Sequence, residues 1–105
     1  ISISESENDS KTNTTISNNI ADRYSGLAIT NSETVELVNT LVHSNNSPDT
    51  YHSVFLHELD ELKIVNSTVA NNTVEVHHNS GGVLINMSSA LDSALVMNSI
   101  ISQNK

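Results

Sequence analysis

Cysteine is absent from this 105-residue chain, so neither disulfides nor thiolate metal sites are available to it. Cations are nearly absent too: Lys11, Arg23, Lys63 and Lys105 face twelve Asp and Glu residues, for a formal charge of −8. That balance argues against nucleic acid and anionic membrane as partners. No apolar run approaches the length of a membrane span and no signal peptide is visible, so membrane insertion is not expected. Aromatics are reduced to Tyr24, Tyr51 and Phe55, while Ala and the strong helix formers are scarce. A helical bundle is therefore not expected. The two-residue hairpin turns Asn-Gly and Asp-Gly are missing as well, which argues against hairpins.

What is there is β-branched, Leu-rich and full of Ser, Thr and Asn. Ile, Val, Leu and Phe make 29 of the 105 residues, above the roughly 20% associated with disorder. One seven-residue phrase, Asn-Ser/Thr-x-Ile/Val-x-x-Asn, occurs four times, beginning at Asn13, Asn39, Asn66 and Asn98. The spacings are 26 (13→39), 27 (39→66) and 32 (66→98). A recurrence at this period marks a repeat architecture in which each unit stacks on the last.

Counting back from each first Asn, apolar pairs recur two and four residues before it: Val35 and Leu37, Leu62 and Ile64, Ala94 and Val96. Further back stand Ile1 and Ile3, Leu27 and Ile29, Val54 and Leu56. Val83 and Ile85 continue the series with a displacement of three residues, which fits a loop insertion around Met87–Ala90. Each unit thus holds three short alternating strands separated by turns. Asn-Ser/Thr suits a bend in which Asn takes the left-handed conformation. Stacking would set Asn39, Asn66 and Asn98 above one another at about 4.8 Å, as an internal amide ladder.

The phrases Leu37-Val-Asn-Thr-Leu-Val42 and Lys63-Ile-Val-Asn-Ser-Thr-Val-Ala-Asn-Asn72 resemble the parallel β-helix repeats of the pectin-lyase-like superfamily. Ser80-Gly-Gly-Val-Leu-Ile85 and the Ile/Val-x-x-Asn endings also resemble polymorphic outer-membrane-protein repeats, without the Phe of that second motif. The resemblance implies an all-β, right-handed parallel β-helix, a solenoid of about four coils over residues 1–25, 26–52, 53–81 and 82–105. It implies a secreted or cell-surface setting, but the same coil serves lyases, tailspikes and adhesins. The expected function is a structural or binding segment of adhesin or fibre-stalk type. Its expected partners are a carbohydrate, a host or cell-surface protein, or another copy of itself. The alternatives are a fragment of a polysaccharide lyase or glycoside hydrolase and a self-assembling filament subunit. The repeat phase at the two termini fits a mature product or an excised piece.

Coil one departs from the pattern, because Asp9 and Lys11 occupy the apolar pair's positions. Unpaired charges are costly inside, so either this strand peels away or residues 1–12 form a polar cap over the open edge. An acid recurs six residues before each phrase: Glu7, Glu33, Asp60 and Asp92. Stacked carboxylates repel one another and favour protonation or a bound cation. Ca²⁺ is the candidate cofactor, with Glu58 and Glu61 as further ligands; the alternative is a row of solvated turns.

Arg23 and Lys63 are the only internal cations, too few for a polyuronate lyase site. Asp60 and Asp92 could pair for hydrolysis, but neighbouring acids are unavoidable in such a column. His43, His52, His57, His77 and His78 share no repeat phase and read as surface loop residues. Flanking the Asn bends, Val38, Leu41, Val65, Met97 and Ile100 would stack into an outer apolar stripe. The stripe is either an interface or ordinary decoration of a sheet's outer face.

Overall fold

A computed structural model describes residues 1–48, 51–75, 82–89 and 92–105. Among these residues there is no helix, and all strand pairings are parallel. Twelve strands are described: β1 (Ser2–Ser4), β2 (Asn8–Thr12), β3 (Thr15–Ser17), β4 (Leu27–Val38), β5 (Leu41–His43) and β6 (Asn46–Ser47). They continue as β7 (Val54–Val65), β8 (Thr68–Ala70), β9 (Thr73–Val74), β10 (Val83–Met87), β11 (Ser93–Met97) and β12 (Ile100–Ser102). The largest sheet orders β1-β4-β7-β10, with β2 also on β4 and β11 also on β7; a second runs β12-β8-β5-β3, and a third pairs β6 with β9.

The register follows the repeat. Ile29 lies opposite Leu56, Val35 opposite Leu62, and Leu37 opposite Ile64. Val42 likewise lies opposite Val69. These side chains are all 3% exposed or less and, with Leu27, Val54 and Ile16, fill the interior. In the two central repeats the first two expected strands fuse into β4 and β7, twelve residues each. The fusion is interrupted only by a left-handed residue, Asn31 (φ 53°) in β4 and Glu58 (φ 55°) in β7. β10 and β11 take up the same places against β7, with the register shift after Asn86. At that shift the unpaired residue is Glu58 of β7. The extra residues of the last repeat follow Met87, between the pairing of Met87 with Leu59 and that of Ser93 with Glu61, and Ala90 among them lies outside the described residues.

Left-handed residues mark the other corners as well. Asn13, Asn39, Asn66 and Asn98 have φ between 48° and 51°. A second column runs Asn18, Ser44, Asn71 and Gln103, with φ between 53° and 57°. In both columns it is the next residue that turns inward. The expected internal ladder of Asn39, Asn66 and Asn98 is corrected accordingly: these three are exposed, and Asn39 Nδ2 meets Asn13 Oδ1 at the surface, 3.2 Å away.

The buried ladder belongs to the last Asn of each phrase. Asn19 Nδ2 donates to Asn45 Oδ1, Asn45 Nδ2 to Asn72 Oδ1, and Asn72 Nδ2 to Asn104 Oδ1, each at 2.9 Å. Asn45 and Asn72 are fully buried. Each also bonds a carbonyl of the repeat before it, Ile16 O from Asn45 and Val42 O from Asn72. The first bend has its own ladder of hydroxyls, in which Thr40 N donates to Ser67 Oγ and Ser67 N to Ser99 Oγ. The physical reason is common to both columns. A bend strips backbone groups of sheet partners, and an inward polar side chain supplies them. Among the described residues no buried side-chain nitrogen or oxygen lacks a partner.

β2 does not peel away. It pairs along β4 with Asp9 opposite Val35, and the Asp9 carboxylate is buried against Ser32 Oγ at 3.0 Å. At the opposite edge, Val96 and Ile101 are 49% and 41% exposed, although their register partners Ile64 and Val69 are buried.

Candidate functional site

The acidic column is in register but does not converge. Asn8 pairs with Thr34, Thr34 with Glu61, and Ser93 with Glu61, which sets Glu7, Glu33, Asp60 and Asp92 one beside the next. Glu7, Glu33 and Asp60 are exposed, whereas Asp92 turns back to accept from Ser89 N and Ser89 Oγ. Glu33 and Asp60 border a shallow depression of about 320 Å³ with Asn31, Ser32, Glu58 and Ser88. Among the described residues no three His, Asp or Glu side chains gather as a metal-holding group. Glu61 faces elsewhere: with Glu36 it holds Lys63, at 3.2 and 3.4 Å. Hydrogen bonding to Glu61, then to Glu36, raises the Lys63 pKa above its ordinary value.

The apolar stripe is also assembled. Val38, Val65 and Met97 are register partners, as are Leu41, Thr68 and Ile100. Leu41, Met97 and Ile100 are exposed, while Val38 and Val65 are half-buried. The histidines part company. His43 lies in β5 and His57 in β7 rather than in loops, because both sit at regular strand positions. His77 and His78 lie outside the described residues.

The most concentrated chemistry is a group that the sequence reading left scattered. All three aromatic residues of the chain meet on the outer side of the largest sheet. Phe55 projects outward from β7 between the inward Val54 and Leu56, and Tyr24 stacks on it with ring centroids 4.7 Å apart. His57, two residues on and so on the same face, stacks on Phe55 at 5.1 Å and 7°. His52 stacks on it at 5.6 Å and 12°. Tyr51 meets Tyr24 edge-on at 5.6 Å, and the Arg23 guanidinium carbon lies 4.4 Å above the centre of the Tyr51 ring. Tyr24 is held in a left-handed backbone conformation, φ 50°.

The signal for this cluster was present in the repeat phase. Tyr24 precedes Asn39 by 15 residues and Tyr51 precedes Asn66 by 15, so the two tyrosines occupy one column (39 − 24, 66 − 51). Phe55 in turn is the register partner of Ala28 and Leu84. Ala28 is only 3% exposed despite its outward position.

The chain matches no family model, no curated protein and no solved structure. No helix of the described residues is long and apolar enough to cross a membrane.

Proposed function

We propose that this chain is a right-handed parallel β-helix, as its resemblance to pectin-lyase-like repeats implies, and that it serves as a rigid binding scaffold. The setting proposed is a secreted or cell-surface protein of adhesin or fibre-stalk type. The observation that carries this reading is the pair of in-register polar ladders. Asn19, Asn45, Asn72 and Asn104 on one corner and Thr40, Ser67 and Ser99 on another tie successive repeats by side-chain bonds as well as by strand pairing. Such a stack is stiff along its axis. With the interior filled by side chains, recognition is left to outer columns and corners. Right-handedness has the support of the strong bias of parallel crossover connections. The aromatic group on the outer face supports binding over a purely mechanical role, since half-exposed rings are a common feature of recognition surfaces.

An antibody raised against this chain should label intact cells of the source organism as strongly as permeabilised ones. Labelling only after permeabilisation would overturn the surface assignment. Incubation of the protein with polyuronates, with and without Ca²⁺, should release no unsaturated product; release would replace the scaffold by a lyase.

A further inference from the structure

We propose that Tyr24, Tyr51, Phe55, His52, His57 and Arg23 form a binding site for a sugar residue carrying a single carboxylate, as found at the end of an acidic glycan. The site deepens the scaffold reading and rests on it, because it is a feature of the outer face.

Phe55 is stacked by Tyr24, His52 and His57. Its faces are therefore taken by other rings, and what the stack turns outward is ring edge. Ring edges carry the positive part of the aromatic quadrupole and attract oxygen and negative charge. Arg23 reinforces this sign. Its guanidinium carbon lies 4.4 Å from the centre of the Tyr51 ring and, among the described residues, the group pairs with no carboxylate. Lys63 shows the contrast, being held by Glu36 and Glu61. A guanidinium held over a ring by cation–π attraction still has N–H donors to offer a planar, bidentate acceptor, and a carboxylate matches that fork. The patch is thus an anion-accepting surface on a molecule of net charge −8. The phenols of Tyr24 and Tyr51 and the imidazoles of His52 and His57 add groups that can both give and accept hydrogen bonds. Those suit a hydroxylated ring rather than a bare ion.

The surroundings limit the ligand to one charge. Glu58 follows His57 directly and lies 3.9 Å from its Nδ1, and Glu33 and Asp60 stand exposed further along the same strands. A polyanion extending over them would be repelled. A single acidic residue at the end of a glycan avoids that.

The test is a titration of the ¹⁵N-labelled chain with methyl β-glucuronide, methyl β-glucoside and polygalacturonate, followed by amide and Arg Nε resonances. The glucuronide should shift resonances of Arg23, Tyr51 and Phe55 saturably, and the glucoside should bind about tenfold more weakly or worse. Arg23→Gln should remove that preference, whereas Lys63→Gln should leave it intact. Arg23 is exposed, so its variant keeps the fold, and an unchanged amide spectrum away from the patch verifies this. Equal binding of the two glycosides, tighter binding of the polymer, or shifts confined to other surfaces would each overturn the site. Surface labelling of cells without glucuronide binding would remove the site and leave the scaffold. Binding by a protein found inside cells would do the reverse.

Discussion

At the scale of the residue, two asparagines in the same phrase do different work. Asn66 spends its identity on the backbone: its φ of 49° is a conformation other L-residues enter at a cost, and its side chain is exposed. Asn72 spends its identity on the side chain. It accepts from Asn45 N and Asn45 Nδ2 and donates to Val42 O and Asn104 Oδ1. Asn72→Ala should therefore cost at least about 3 kcal/mol in urea denaturation, because several buried groups lose their only side-chain partner. Asn66→Ala should cost about 1 kcal/mol and Asn66→Gly close to nothing. Equal losses for Asn72→Ala and Asn66→Ala would contradict this division. Glu58 is the converse case, a residue with no aptitude for the φ of 55° it holds where Asn31 stands one repeat earlier. Glu58→Asn should stabilise by about 0.5–1 kcal/mol. Composition and spacing made the recurrence of asparagine legible. They could not say which of two asparagines faced inward, because that depends on the side to which a left-handed residue throws its successor.

At the scale of the element, the alternation in Val35-Glu-Leu37 and Leu62-Lys-Ile64 was enough to place strands and their inward faces. That β4 and β7 would run unbroken through a left-handed residue was not legible, since no local pattern distinguishes a bend inside a strand from a turn between two. Length variation is confined to corners. The ladder spacings are 26 (19→45), 27 (45→72) and 32 (72→104), yet every amide still meets its neighbour at 2.9 Å. Tolerance ends where chain segments touch. A Cβ on Gly26 would lie 2.8 Å from Asn45 Nδ2 and 3.0 Å from Ser53 O. Gly26→Ala should lower the melting temperature by several degrees, about what a 1 kcal/mol loss gives in a domain of this size. Unchanged melting would mean that the Asn45 corner is looser than its hydrogen bonds indicate. Lys63 ties β4 to β7 on the outer face, and its raised pKa sets the sign of a pH effect. The stabilisation is complete below the ordinary value of 10.5 and fades as pH rises through the higher folded-state value. The difference in melting temperature between wild type and Lys63→Met should accordingly shrink in strongly alkaline buffer and in high salt.

At the scale of the whole molecule, a charge of −8 on a body of 32 × 25 × 19 Å is a standing repulsion. Added sodium chloride should raise the melting temperature despite screening Lys63, because the repulsive pairs outnumber the attractive ones. A fall would mean that local ion pairs dominate. The repeat was the part of the design most open to sequence reading, because stacking turns a spacing into a contact. The candidate site was the part least open to it. Tyr24 and Tyr51 share a repeat phase, but Phe55, His52 and His57 join them only through the outward side of β7 and the loop before it.

The amide ladder also has a direction. From Asn19 to Asn104 every bond between two carboxamides runs from the Nδ2 of the lower-numbered repeat to the Oδ1 of the higher-numbered one, while the second Nδ2 hydrogen of Asn45, Asn72 and Asn104 goes back to a carbonyl of the repeat before. The dipoles of these groups therefore point the same way and polarise one another. The row is a vector rather than a tally of equal bonds. Its two extremities are chemically unlike, an acceptor oxygen at Asn19 and a donor nitrogen at Asn104. Whatever unit is joined to either extremity, by evolution or by engineering, has to be laid on with that polarity, and a repeat inserted in reverse would set like poles face to face.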